Sequence, residues 1–463
     1  MSFVESVLKV LPEVKAPDVK KVSFNTKFKW TLAILVGYFL LGLVPLSGLG
    51  ASALQQFTFY SIILGAEFGS IISLGIGPIV TASIILQLLN GAKIVNFDLT
   101  TQDGKKQFQG WQKILSLVFI LFQSIIFVVS GGLAPEPGVP AMWLIFQLMV
   151  GGYLIMLMDE VVSKWGFGSG LSLFIAAGVS KGLMSSLLSP FTMDGAPAFP
   201  LDPTGAPFGR VWAIIFDAIT QNFEGIALSL GAIGATLLVF AMALYAISMK
   251  VEIPLSFGRA RGFGMRWPLK FIYTSNIPVI LIAALIANVQ LGVQLLNARG
   301  IMWFGTFSAE GASSGLVSLF VPTNMLAAAI NQAITLPMIG QSLFYILFFT
   351  LGSMVFALFW VQTAGMDAKS LGKQIMSSGL QVPGFRRDPR VLEKLLNRYI
   401  TPLAVMGGAT IGFLASVADL LGALTQGAGL LLALMIIHQL YEEIAKQHQM
   451  DMHPMMKKFV DSN

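Results

Sequence analysis

Beyond residue 29 the chain alternates long apolar runs with shorter polar ones. A membrane-spanning helix needs roughly 20 apolar residues. On that measure the first half predicts spans at about Trp30–Pro45, Ile71–Leu89, Ile114–Gly132, Met142–Met158 and Leu171–Leu188. The second half predicts spans at about Ile226–Met249, Ile272–Val293, Leu343–Val361, Leu403–Leu421 and Ala423–Leu440. Residues 189–224 and 294–335 are long, rich in Gly, Pro and Ser, and read as loops that carry short surface helices. The second run is unusual because it opens with Gly75, Gly77 and Pro78. These residues weaken a helix, and in lipid every freed backbone group must find a partner. This segment is therefore expected to border other helices or a cavity.

Composition agrees with an integral membrane protein: 55% of the 463 residues are hydrophobic and 11% are charged. A soluble domain carries about 25% charged residues. The net charge of +6 would point to nucleic acid in a soluble protein, but here its placement explains it. With ten crossings and both termini cytoplasmic, all but Lys181, Arg210 and Arg299 of the 29 basic residues fall on the cytoplasmic side. Lys and Arg collect on that side of membrane proteins. Residues 1–29 carry six lysines and no cleavable signal pattern, so the first span is expected to direct insertion and stay.

Five crossings per half give the halves opposite orientations, the mark of an inverted repeat. Gly77-Pro78-Ile79-Val80 pairs with Ile277-Pro278-Val279-Ile280, and Gly168-Ser169-Gly170-Leu171 with Gly427-Ala428-Gly429-Leu430. Matches this short fit shared membrane composition equally well.

Catalytic chemistry is sparse. There is no cysteine, so disulfides, thiolate catalysis and cysteine–metal sites are excluded. No phosphate-binding loop, zinc-protease motif or nucleophile elbow occurs. His438, His448 and His453 cluster near the C-terminus and read as solvated. Lys181 and Asp419 are the charges within spans, and both are expected near water. No enzymatic activity, metal or cofactor is expected, and ion coupling is disfavoured.

Lone amides and hydroxyls do occur within or beside the spans: Thr81, Gln87, Gln123, Asn288 and Gln362. They read either as glue between helices or as a polar seam that opens. Two cytoplasmic loops, 250–270 and 363–398, are larger and more basic than topology requires. They include Arg259, Arg261, Arg386 and Arg387. Anionic lipid or a polyanionic partner such as ribosomal RNA would suit them.

The runs Leu74-Gly-Ile-Gly-Pro-Ile-Val-Thr-Ala82, Gly168-Ser-Gly-Leu-Ser-Leu-Phe-Ile175, Tyr273-Thr-Ser-Asn-Ile-Pro-Val-Ile280 and Trp267-Pro-Leu-Lys-Phe271 resemble the SecY family of protein-conducting channels. The likeness is to the archaeal branch and to the alpha subunit of the eukaryotic ER translocon. The resemblance implies an all-α polytopic fold of ten transmembrane helices, in two pseudo-symmetric inverted five-helix halves around a central pore. The segments it implies are a cytoplasmic stretch 1–29 and a first half 30–190 with a plug at about 58–68. An external linker 191–224, a second half 225–440 with cytoplasmic loops 249–271 and 362–400, and a tail 441–463 follow.

By the same resemblance, Ile76, Val80, Leu171, Ile175, Ile280 and Leu432 form an apolar pore ring. Thr81, Gln123, Asn288 and Gln362 line a lateral gate. Thr58, Phe59, Ile62, Ile63, Leu64 and Phe68 belong to the plug, and Arg259, Arg261, Arg386 and Arg387 dock a ribosome or another partner. Some family members carry carboxylates where this chain has Gln123 and Gln362, which argues against gating by charge here. The implied partners are two small single-helix Sec subunits (SecE/gamma-like and beta-like), a ribosome with its nascent chain, signal sequences and membrane lipid. The implied location is the cell membrane, multi-pass with both termini cytoplasmic. The expected function is conduction of unfolded polypeptides across the membrane and lateral release of apolar segments into lipid. The competing reading is an inverted-repeat secondary transporter of a small neutral solute.

Overall fold

The computed structural model describes residues 12–17, 22–50, 69–91, 94–95, 97, 101–129, 133–192, 206–257, 264–274, 277–298, 300, 302–308, 311–377, 380–381 and 388–452. Thirteen α-helices account for most of them. In the first half these are α1 (Phe24–Gly42), α2 (Gly77–Gly91), α3 (Gln102–Val129), α4 (Ala141–Trp165) and α5 (Gly170–Leu188). After α6 (Arg210–Ile219) come α7 (Phe223–Ser248) and α8 (Ile277–Ala298). Then follow α9 (Met325–Ile330), α10 (Leu336–Thr363), α11 (Ala368–Ser377), α12 (Pro389–Leu420) and α13 (Gly427–Met452). Helices α3, α4, α5, α7, α10, α12 and α13 are long and apolar enough to cross a membrane, while α2 and α8 contain shorter apolar stretches. These nine helices and α1 overlap the ten expected apolar runs, and seven of them meet the length and composition of a span among the described residues. The expected surface helices in the long loops are α6, α9 and a 3-10 turn, Leu316–Phe320.

The sequence explains the helix ends. Ser23, Asn222 and Asp388 cap α1, α7 and α12 by accepting backbone N–H groups, and Pro389 occupies the first turn of α12, where its missing N–H costs nothing.

Three boundaries differ from expectation. Residues 71–76 form turns, and α2 begins only at Gly77, because Gly75 adopts φ +53°, outside helical space. The loop 249–271 contains an antiparallel hairpin of β1 (Lys250–Phe257) and β2 (Gly264–Lys270), running in register from Lys250↔Lys270 to Ser256↔Gly264. The loop 362–400 is largely helical: it holds α11, then β5 (Leu380–Gln381), which pairs with the outer edge of β1, and then the first turns of α12. A second hairpin, β3 (Thr306–Ser308) with β4 (Gly311–Ser314), lies in the long loop after α8.

Small residues allow the helices to approach closely. A Cβ on Gly408 of α12 would stand 2.9 Å from the Ser353 carbonyl oxygen of α10, and one on Gly412 would stand 3.0 Å from that of Phe349. The second half packs around Val239, Val279, Ile282, Phe349, Ile411 and Leu434. The first half packs around Tyr38, Ile72, Ile155 and Phe174, and this core also takes in Leu432, Ala433 and Ile436 of α13. The last helix therefore belongs by sequence to the second half and by packing to both.

Candidate functional site

Four separate segments bring apolar side chains to one place. Ile76 sits just before α2, and its carbonyl accepts the Ile79 and Val80 N–H groups at 3.1 and 3.0 Å, so Val80 stands one turn beyond it on the same face. Helix α5 begins where Asp159 of α4 accepts the Leu171 N–H at 2.9 Å and the Ser169 hydroxyl at 3.4 Å. Helix α13 begins where Asp419 of α12 accepts the Gly427 N–H at 2.6 Å, its other oxygen taking the Tyr345 hydroxyl at 2.8 Å. Asp419 is thus engaged at a helix junction.

All six expected ring residues fall in one apolar cluster. Ile76, Ile175 and Leu432 are 2%, 5% and 6% exposed, with Val80, Leu171 and Ile280 packed against them. Five of the six, all but Leu171, also line a single small cavity of about 60 Å³. Thr81, Gln123 and Asn288 of the expected seam line the same cavity. Gln362 does not, and lies exposed near the end of α10. The Thr81 hydroxyl donates to Gly77 O at 2.8 Å within its own helix. Among the described residues no hydrogen bond joins Thr81, Gln123 and Asn288 to one another.

Phe127, Ala283, Ala284 and Ala287 line the cavity as well. Sequence reasoning passed over them because small and aromatic apolar residues carry no distinguishing chemistry. The available signal was spacing: Phe127 lies one turn after Gln123, and the alanines lie one and two turns after Ile280.

The expected plug residues Thr58, Phe59, Ile62, Ile63, Leu64 and Phe68 lie outside the described residues, as do the docking residues Arg259, Arg261, Arg386 and Arg387. The hairpin that leads to two of these arginines is described, and it is tied to α13. Lys270 Nζ meets Glu442 Oε2 at 2.6 Å, and His438 Nε2 stands 3.5 Å from Oε1 of the same carboxylate. These residues line a polar cavity of about 320 Å³ together with Tyr273, Gln439 and Glu443. The N-terminal segment docks on the same half of the molecule as α3 and α4. Glu13 pairs with Lys164 at 2.8 Å, and Lys164 and Lys113 both pair with Glu160, at 2.9 and 3.2 Å. The Lys164 hydrogen bond holds the Glu13 carboxyl below its ordinary range. Among the described residues no group of three His, Asp or Glu is placed to hold a metal.

The SecY family model matches residues 70–441. The protein translocase subunit SecY of Methanothermobacter thermautotrophicus is 43% identical over 460 residues, covering 98% of each chain. That of Methanocaldococcus jannaschii is 37% identical over 457 residues, again with 98% of each covered. Among solved structures, a protein-conducting channel superposes with TM-score 0.81 at 37% identity, covering 97% of this chain and 98% of that one. Sec61 in the canine ribosome-channel complex from the endoplasmic reticulum superposes with TM-score 0.77 at 36% identity, with the same coverage.

Proposed function

The chain belongs to the SecY family, the pore subunit of the Sec translocon, and on that premise we propose which of its residues close and open the pore. The observation that carries the proposal is the convergence of Ile76, Val80, Ile175, Ile280 and Leu432 on one cavity bordered by the polar seam. Branched apolar side chains offer an ion no ligand, and a constriction made of them resists wetting. Being apolar, they also make no specific bond to a passing chain, so the same residues serve as seal and gasket. The cavity has room for only a few waters, which supports reading the ring as a seal at rest. A neutral solute carrier would instead need a roomy polar pocket at this depth.

Opening is a population shift. A signal segment of roughly one helix length enters between α2–α3 and α8–α10, where Thr81, Gln123 and Asn288 give a wet, separable edge. It favours the parted halves because only that state offers it a groove. The plug at 58–68 is then displaced; in a solved relative, the plug domain of SecY stabilises the closed channel and maintains the membrane seal. The chain lies in the cell membrane with both termini cytoplasmic. Arg259, Arg261, Arg386 and Arg387 dock the ribosome, as the ribosome-bound Sec61 relative supports. Two small single-helix subunits brace the halves, and no cofactor takes part.

The test is photocrosslinking from positions 76 and 280 in membranes that hold stalled ribosome–nascent-chain complexes. Crosslinks to the nascent chain from both positions are expected. Silence at both, with ribosomes bound and no more signal than from lipid-facing control positions, would sink the ring assignment.

A further inference from the structure

The two junctions that start the pore-lining helices are copies of each other. In the first half the partly buried carboxylate of Asp159, near the end of α4, accepts the N–H of Leu171, the second residue of α5. In the second half the partly buried carboxylate of Asp419, near the end of α12, accepts the N–H of Gly427, the first residue of α13. In each case the helix opens on a glycine pressed against the preceding helix. A Cβ on Gly170 would lie 2.9 Å from Asp159 Oδ1, and one on Gly427 would lie 3.0 Å from the Asp419 N. A glycine at positive φ stands in each connection, Gly168 at +66° and Gly422 at +63°.

The registers are close. Counted from the first glycine of each helix, Ile175 and Leu432 both lie five residues on; counted from the bonded donor, Ile175 lies four residues after Leu171 and Leu432 five after Gly427. Both side chains line the same cavity. At 1.5 Å per residue each stands about 7.5 Å along its helix from its junction. Helices α5 and α13 are the fifth and tenth crossings and run antiparallel, so the junctions point to opposite sides of the membrane. For their ring residues to share a level the junctions lie about 15 Å apart along the membrane normal, inside the roughly 30 Å apolar core, and one ring residue is measured from each side.

We propose that Asp159 and Asp419 are paired positioning residues that set the axial height of Ile175 and Leu432, so that the two meet at one level in the closed ring. The inference rests on the ring reading above. A carboxylate in a spanning segment is costly unless its oxygens are satisfied, and a helix N-terminus satisfies it with N–H donors. The bond works as a ratchet stop. If α5 or α13 slides or tilts, an acceptor near the membrane loses its donor. Each fifth helix is thereby locked to its fourth, and motion is left to the seam between halves.

The experiment uses the full complex in proteoliposomes. The chain has no cysteine, so Ile175→Cys with Leu432→Cys gives a clean pair for a short bifunctional thiol crosslinker. Ala, Asn and Glu are placed in turn at Asp159 and at Asp419, and crosslink yield and resting small-ion leak are read on the folded protein that accumulates. Asn keeps the acceptor at the same reach and is expected to match the parent in both readouts. Glu moves the acceptor outward by one methylene, and Ala removes it. Both are expected to cut the yield several-fold and raise the leak several-fold. The proposal is overturned if folded Ala and Glu variants crosslink and seal like the parent, or if Asn fails as badly as they do. If Ala does not accumulate, the Asn–Glu comparison decides alone. This crosslink reads helix register whatever passes the cavity, so failure of nascent-chain crosslinking at 76 and 280 would leave its result standing.

Discussion

At the scale of single residues, the decisive positions are those where one atom more or less changes the outcome. Gly151 of α4 is one: a Cβ there would overlap the Ile71 carbonyl oxygen in the turn leading to Ile76. Backbone cannot give way as a flexible side chain does. Gly151→Ala is expected to lose at least about 2 kcal/mol of stability, seen as earlier thermal unfolding in detergent. The ring shows the opposite sensitivity, to polarity. Ile175→Asn places an amide in the apolar part of the cavity, where a hydrogen-bonding side chain invites water. A several-fold rise in resting ion permeability is expected, and an unchanged leak in the folded variant would contradict the seal. Glu13 carries a pH signature. Its carboxyl titrates lower in the folded protein than in an unfolded chain, so its pairing with Lys164 stabilises the docked segment above the ordinary carboxylate pKa. That contribution is lost as pH falls through the lowered folded value. Protection of the amides of residues 13–16, taken relative to their intrinsic exchange rate, should therefore fall once pH drops below the ordinary carboxylate pKa, and Glu13→Gln should remove that pH dependence. Of these positions, the clustering of the six proposed ring residues follows their motifs in the sequence, whereas Gly151 looks like any other small residue until Ile71 is placed against it.

At the scale of elements, the helices followed the apolar runs because lipid imposes the same length and composition on every crossing. Apart from the late start of α2 at Gly77, the departures lie outside the expected spans. Loop 249–271 reads as basic and irregular, yet β1 and β2 pair along their length, and Ile253 and Leu269 bury against Leu392, Leu396 and Ile400 of α12. Alternation over so short a stretch, interrupted by Pro254 and Pro268, gives a weak strand signal. The hairpin thus rests on a hydrophobic footing, and the Lys270–Glu442 bridge to α13 is an addition to it. That bridge is half-exposed on the lysine side, and exposed pairs contribute about 0–1 kcal/mol. A double-mutant cycle of Lys270→Ala and Glu442→Ala should give a coupling below about 1 kcal/mol. A larger value would make the strut a principal support of the docking surface.

At the scale of the whole molecule, two five-helix bodies share a last helix, and the polar set Thr81, Gln123 and Asn288 lies in one cavity between them. If the halves part there, a covalent tie should hold them shut. Thr81→Cys with Asn288→Cys, bridged by a thiol crosslinker, is expected to abolish lateral release of apolar segments, with recovery when a cleavable bridge is cut. Release that continues with the bridge intact would place the exit elsewhere. The sequence by itself determined the polytopic helical membrane class, the absence of cysteine and the family, since hydrophobic length and local motifs are properties of contiguous residues. It left the internal repeat undecided, because two short matches are compatible with shared membrane composition. The tertiary structure aligned Gly170 with Gly427, two residues away from the pairing of Gly168 with Gly427 that the letters invite. It also revealed Asp159 and Asp419 as counterparts. Those two carboxylates sit at different distances from the helices they hold, eleven residues before Gly170 and eight before Gly427. No fixed spacing could disclose them. Their equivalence is one of position against a backbone donor, and it exists only once the helices are packed.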